Sequence, residues 1–377
     1  MTAIRKCMTF SLLLGLSGLF IFFLKINTTA FSSPHHRSLD ASASQDLKSR
    51  LANGSLSHVP AYSSSLASQS NLTRGLVIPR LEGDNVTWLD TITTNHEVTV
   101  YVANNSSAAL HPPTNKGNEA MMYLTHLIDH YDSLPDILIF MHSHLHAHHN
   151  SEVFDLDAAT MLLHLQDSHI LNQGYFNLRC DWSPGCPDWL DPLIKTESLA
   201  KQEQALLAES WHELFPSHPL PTNLAQPCCA QFAVSKSRIL SVPRSRYVYY
   251  RDWLLMTPLS DYVSGRIWEY SWQYVFTGQE RYCPKESVCY CEGFGVCFEA
   301  EGEYAVFKEM VGRRKEIRER LEGVMVDAGD GEGDFVDGES GEDVELIRER
   351  LASIELEVME LRDGALQRGL SLGKGKR

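Results

Sequence analysis

Between Met8 and Leu24 the chain has no charged residue, which excludes a conventional solvated N-terminus. Arg5 and Lys6 precede the run and Lys25 follows it. As a helix it would rise about 26 Å, close to the roughly 30 Å of a bilayer's hydrocarbon layer. The basic flank before it predicts a signal anchor: cytosolic N-terminus, body on the lumenal or extracellular side, single-pass type II topology. A cleaved secretory signal is the alternative, because Thr28-Thr29-Ala30 offers small residues to a peptidase, although the run exceeds the usual h-region. Both readings export the body.

Other absences narrow the chemistry. No Walker loop, G-x-G-x-x-G or H-E-x-x-H occurs, so phosphate-cradling glycine loops and zincin sites lack their usual marks. The C-x2-C pairs of structural zinc sites are also missing, although there are nine cysteines. Cys7 lies at the cytosolic edge of the anchor. The exported Cys180, Cys186, Cys228, Cys229, Cys283, Cys289, Cys291 and Cys297 are even in number, and an oxidising lumen predicts disulfides. Cys180 and Cys186 are close enough in sequence to close a short loop. Zinc on the C-x5-C-x-C-x5-C run from Cys283 to Cys297 is the competing reading.

Large apolar groups are scarce between residues 32 and 70, which hold 13 serines; such a segment cannot bury enough surface to offset its ordering entropy and reads as a stem over 25–75. Six sequons, at Asn27, Asn53, Asn71, Asn85, Asn104 and Asn105, fall between the anchor and residue 107 and predict a glycoprotein. Basic residues are absent from Val326 to Asp343, which carries eight acidic residues and five glycines. That stretch reads as a solvated linker and supplies about half of the formal net charge of −15. No nucleic-acid partner is expected.

Between stem and tail, residues 76–298 combine aromatics, aliphatics and the exported cysteines in a length that suits one domain. Leu76 to Ile78, Val98 to Val102 and Ile137 to Met141 read as strands, the last of buried type. Asn118 is a candidate cap for a helix from Glu119 to His130, whose Leu124, Leu127, Ile128 and Tyr131 form one apolar face. Strand, strand, helix and strand predict an α/β sheet with ligands at the carboxyl ends of its strands. A helix is expected over 299–325, and Val344, Ile347, Leu351, Ile354, Val358 and Leu361 mark an amphipathic tail over 344–377. The two can fold as a hairpin; a lone helix on the core and self-association through the seam are the alternatives.

The strongest chemical signal follows the third strand. In His142-Ser143-His144-Leu145-His146-Ala147-His148-His149, alternate imidazoles would share one face if the extension continued, able to bind a divalent metal such as Mn²⁺ or Zn²⁺ or to act as acid and base. His142 and His144 are the candidates; His146, His148 and His149 read equally as a surface run. Asp155-Leu156-Asp157 looks like a metal-nucleotide D-x-D but opens a helix containing Met161, Leu162 and Leu165, so Asp157 reads as a cap. Arg266 and Glu269, three apart, suit a shared helix face. Glu269 among Trp268, Tyr270 and Trp272 is a candidate desolvated base, Asp252 a second, and Arg266 a candidate substrate ligand.

Several stretches carry a family resemblance: Pro135-Asp136 leading into Ile139 to His144, Gly174 to Cys180 with Pro184-Gly185-Cys186-Pro187, Cys228 to Ser235, and Ser264-Gly265-Arg266 through Glu269-Tyr270. From about Leu76 to Cys297 the chain resembles the domain of unknown function 3431 family, common in fungi. It is more distantly similar to nucleotide-sugar transferases of GT-A-like fold: a first strand followed by an acidic loop and Trp88-Leu89, a second with Tyr101-Val102, a helix with Glu119, and a third ending in polar residues. That likeness implies an α/β, GT-A-like (Rossmann-related) mixed sheet behind a transmembrane helix, with a C-terminal helical tail. It also implies a nucleotide-sugar donor and residence at the Golgi or ER lumenal face, or at the cell surface. Those enzymes usually end the third strand with a metal-gripping D-x-D, whereas this chain has His142-Ser143-His144, a poorer match for Mg²⁺ or Mn²⁺. A non-catalytic, membrane-anchored binding or assembly protein is the main alternative, and a histidine-metal hydrolase a third.

Overall fold

A computed structural model describes residues 72–196, 198–329 and 344–375. The expected anchor over 8–24, nearly all of the stem, the sequons at Asn27, Asn53 and Asn71, and most of the acidic linker lie outside the described residues. Among the described residues no helix is long and apolar enough to cross a membrane.

Five strands, β1 (Arg74–Arg80), β2 (Glu97–Val102), β3 (Ile137–Phe140), β4 (Tyr175–Asn177) and β5 (Phe232–Ser235), form one sheet in the order β2-β1-β3-β5-β4. β1 is parallel to β2 and β3, while β5 is antiparallel to both β3 and β4. Four strands therefore run one way and β5 alone runs back. The continuous apolar runs of β1 and β3 follow from cover on both faces: Val77, Leu138 and Phe140 enter one core, Leu76, Ile78, Ile137 and Ile139 the other.

The first core is closed by α1 (Ala120–Asp129), which enters between β2 and β3. α2 (Ala158–His164) and α3 (Asp167–Gln173) precede β4, and α4 (Leu207–Leu214) follows it. Beyond β5 come α5 (Lys236–Leu240), α6 (Arg244–Met256), α7 (Asp261–Glu269), α8 (Trp272–Thr277) and α9 (Glu286–Phe294). Trp268 and Trp272 bring α7 and α8 onto the α1 face with ring centroids 4.8 Å apart. Asp157 caps α2 by accepting from the Thr160 amide at 2.6 Å, as its position before the apolar run implied. Asn118 does not cap α1. Its φ of 50° follows Gly117, and its amide donates to Asp261 Oδ1 instead, so the chain turns toward α7 at this point.

The tail belongs to the second core. α10 (Glu301–Gly329) and α11 (Val344–Gly375) pair as a hairpin, and Phe307, Met310, Val358, Ala365 and Leu366 pack with Phe294 and Val296. The seam residues Ile347 and Val358 are thus buried within the chain. Arg314 and Arg362, both buried, grip Asp155 at 2.7 and 2.6 Å, and Arg314 also reaches Glu152 at 3.0 Å. Gly369 lets α11 approach the Gly295 backbone, where a Cβ would collide with the Gly295 carbonyl. The G-x-S-x-G spelled by Gly369 to Gly373 lies inside α11, where Ser371 Oγ donates to the Gln367 carbonyl at 2.9 Å. It is not a strand-to-helix nucleophile turn.

The eight cysteines form four disulfides, Cys180–Cys289, Cys186–Cys283, Cys228–Cys229 and Cys291–Cys297. This corrects the expected short Cys180–Cys186 loop: each of those residues is bridged across about a hundred positions to the segment before or within α9. The zinc reading of the last four cysteines fails because all four are bridged. Two long closures remove much unfolded-state freedom, about 4.7 kcal/mol each in the chain-entropy account. Four disulfides suit a lumenal or extracellular compartment.

Candidate functional site

At the carboxyl ends of the strands lies a cavity of approximately 730 Å³, the position and size typical of small-molecule sites in α/β sheets. Arg80 ends β1 and Leu81 and Asp84 follow it, Ala103 follows β2, His142 to His144 follow β3, and Arg179 follows β4. Glu119 and Met122 come from the start of α1, and Asp261, Arg266 and Glu269 from α7. The expected His142, His144, Arg266 and Glu269 therefore line one space. Asp252 sits on α6 and does not line it.

The histidine run does not continue the strand. Pairing ends at Phe140, so the imidazoles are spread around a loop: His144, His146 and His148 are exposed, while His142 and His149 are half-buried. Gln231 bends the chain there, its Oε1 accepting from the His142 amide at 3.0 Å and its Nε2 donating to Asn150 Oδ1 at 3.1 Å. His142 Nε2 donates to the Cys229 carbonyl at 2.7 Å, which fixes the tautomer and leaves Nδ1 as the acceptor. Burial holds the His142 imidazole down at about 4, and burial with neighbouring His142 and His148 holds His149 at about 3, so both rings are neutral at pH 7. His146 pairs with Asp157 at 3.4 Å.

Glu269 is firmly engaged. Its Oε1 accepts from the Cys229 amide at 2.6 Å and its Oε2 from Arg266 at 2.8 Å, while its own carbonyl accepts from Gln226. Arg266 reaches on to Glu203 Oε1 at 3.1 Å; Glu203 is fully buried. Burial raises the Glu269 carboxyl above its ordinary range despite Arg266 and the Cys229 amide. The spacing argument thus gave the Arg266–Glu269 pair, and the structure adds Glu203 as its third member.

Glu119 differs. Apart from its own backbone amide, no group among the described residues is hydrogen-bonded to its carboxyl, and desolvation, with Glu269 and Asp261 nearby, pushes it up to about 8. Arg80 and Arg179 are held by backbone carbonyls only: Arg80 by Asp84 at 3.0 Å, Arg179 by His148 at 2.6 Å and Ser183 at 3.1 Å. Neither forms an ion pair with a carboxylate among the described residues. Asp84 closes the floor, accepting from Ser143 Oγ and the Leu81 amide, both at 2.9 Å.

Sequence reasoning missed Arg80, Asp84, Glu119, Arg179 and Asp261 as site residues. The first four had a readable signal, since each ends or follows a strand or opens the helix after one, where such sheets bind ligands. Asp261 had none, because α7 reaches the cavity only through the fold.

The only group of three or more metal-ligating side chains among the described residues whose ligand atoms lie within 4.8 Å of one another is Cys228, Cys229 and Glu269. Neither His142 nor His144 belongs to such a group, and His142 already spends Nε2 on the Cys229 carbonyl.

Fold and site together define an α/β domain with a polar ligand cavity at the carboxyl ends of its strands. The family described as "Protein of unknown function (DUF3431)" matches residues 76–292, more than half of the chain, and the chain belongs to that family. No curated protein and no solved structure matches it.

Proposed function

We propose that this chain is a glycosyltransferase-like enzyme of the secretory pathway, a single-pass type II membrane protein of the Golgi or ER lumen that takes a nucleotide-sugar donor into this cavity. The observation that carries the reading is the pairing, in one strand-end cavity, of two arginines without carboxylate partners and a free carboxyl, Glu119, raised to about 8. A donor's diphosphate needs cationic N–H groups, and Arg80 and Arg179 supply planar forks suited to phosphate oxygens. An acceptor hydroxyl needs a base tuned near neutrality, which Glu119 supplies. Glu269, with both oxygens engaged, serves better to hold Arg266 and the Cys229 backbone in place than to take a proton. The parallel strands with β5 reversed, and the polar turn ending β3, support the GT-A-like likeness.

His142-Ser143-His144 stands where such enzymes usually carry a metal-binding carboxylate pair. Neither imidazole belongs to a cluster of three or more metal-ligating side chains among the described residues, so the arginines are assigned the diphosphate charge and no step passes through a metal. Titration calorimetry of the detergent-solubilised full chain with uridine and guanosine diphosphate sugars tests the reading. Donor binding is expected, weakened at least tenfold in R80A and R179A, whereas E119Q should keep donor binding and lose transfer. Binding without transfer in the wild type would favour the non-catalytic binding protein, for which the fully engaged Glu269 speaks. Absence of binding to every donor refutes the proposal.

A further inference from the structure

Three of the four disulfides close loops of 109, 97 and 6 positions, but Cys228–Cys229 joins neighbours. Loop-closure stabilisation scales with loop length, so a bridge between adjacent residues has almost none to give. Its position is informative instead. Both residues line the strand-end cavity. The backbone of Cys229 joins two groups of the site, donating its amide to Glu269 Oε1 at 2.6 Å and accepting His142 Nε2 at 2.7 Å. Cys229 and the following Ala230 have φ of 91° and 48°, in the left-handed region that non-glycine residues avoid. The two sulfurs and a Glu269 oxygen lie within 4.8 Å of one another.

We propose that the Cys228–Cys229 bridge is the oxidised form of a redox-gated zinc site whose third ligand is Glu269. In the oxidised state the sulfurs are bonded to each other and Glu269 is held by Arg266 and the Cys229 amide, so no zinc is bound. A small dithiol opens the site: its two thiols give two electrons and two protons to the bridge, the S–S bond breaks, two cysteine thiols form, and the reductant leaves as its own disulfide. Zn²⁺ then displaces the two thiol protons into solvent and forms two Zn–S bonds and one Zn–O bond. Thiolate sulfur and carboxylate oxygen are both zinc ligands, and three protein ligands leave a fourth position open to the cavity. Loading would draw Glu269 away from Arg266 and so couple zinc to the arrangement of the whole wall.

The test uses the detergent-solubilised full chain and Zn²⁺ alone. Graded dithiothreitol is followed by differential alkylation and mass spectrometry, and zinc is measured by competition with a chromogenic chelator. Cys228 and Cys229 should become alkylatable before the other six bridged cysteines. The reduced chain should then take one zinc, and zinc should protect both thiols from alkylation. C228S/C229S should lose zinc binding by at least a hundredfold, and E269Q should weaken it at least tenfold. If a variant does not fold, zinc protection in the wild type decides alone. Opening of another bridge first, or reduced wild type without zinc protection of these two thiols, overturns the proposal; so does zinc binding by a folded C228S/C229S chain equal to the wild type's.

Discussion

Replacing Glu119 with glutamine should stabilise the protein at alkaline pH, and the size of the effect follows from where the carboxyl sits. Desolvation in the cavity wall, reinforced by Glu269 and Asp261, moves its pKa from 4.5 to about 8. The folded state therefore binds this proton more tightly than the unfolded chain. The associated stability is complete below pH 4.5 and is lost as pH rises through 8. Such a displacement corresponds to about 5 kcal/mol at roughly 1.4 kcal/mol per pH unit. Solvent reaching a half-buried group screens much of that, leaving about 2 kcal/mol. For a body of this size that is a rise of about 4 °C in the midpoint of E119Q over wild type at pH 8.5. The two proteins should converge at pH 4.5, and because the histidines titrate in both, the difference isolates the carboxyl. Thermal melts by circular dichroism between pH 4.5 and 9 measure it. Parallel profiles, or a less stable E119Q at pH 8.5, would refute the claim that this carboxyl is strained by desolvation and available for proton transfer.

The clasp on the tail is testable in the same way: burial alone would raise Asp155, but Arg362 and Arg314 hold its carboxyl below the ordinary range, so its contribution persists above pH 3.8 and is lost below. D155N leaves Arg362 without its main partner and should cost about 2 kcal/mol, a discounted figure because Asp155 is half-exposed, with faster hydrogen exchange confined to α10 and α11. Acid should also destabilise the site, because His142 is held at about 4 against an ordinary 6.5; stability is lost as pH falls between those values, and H142N should flatten that limb of the melting profile. Gly185 has φ of 124° and a Cβ there would strike the Gln226 carbonyl, so G185A should lose more than about 2 kcal/mol or fail to accumulate as folded protein. Non-reducing peptide mapping should recover the four bridges described, and four free thiols among those eight cysteines would reject them.

Local composition was enough to read the bridged cysteines, the first three strands and the Arg266–Glu269 pair. Each depends on a short-range pattern: a count, an apolar stretch closed by polar residues, a helical spacing of three. Asp157 as a cap was legible for the same reason, since capping involves residues three apart. Tertiary structure decided the rest. The pairing of Cys180 with Cys289 and Cys186 with Cys283 depends on β4 lying against α9, which no spacing encodes. The histidine run lost its common face because Gln231, some ninety positions away, turns the chain at the end of β3. Glu119 looked like the first residue of an amphipathic helix; it became the free acid of the cavity only when the fold desolvated it in the cavity wall, with Glu269 and Asp261 of α7 beside it, because a carboxyl's pKa is set by its surroundings in space and not by its neighbours along the chain.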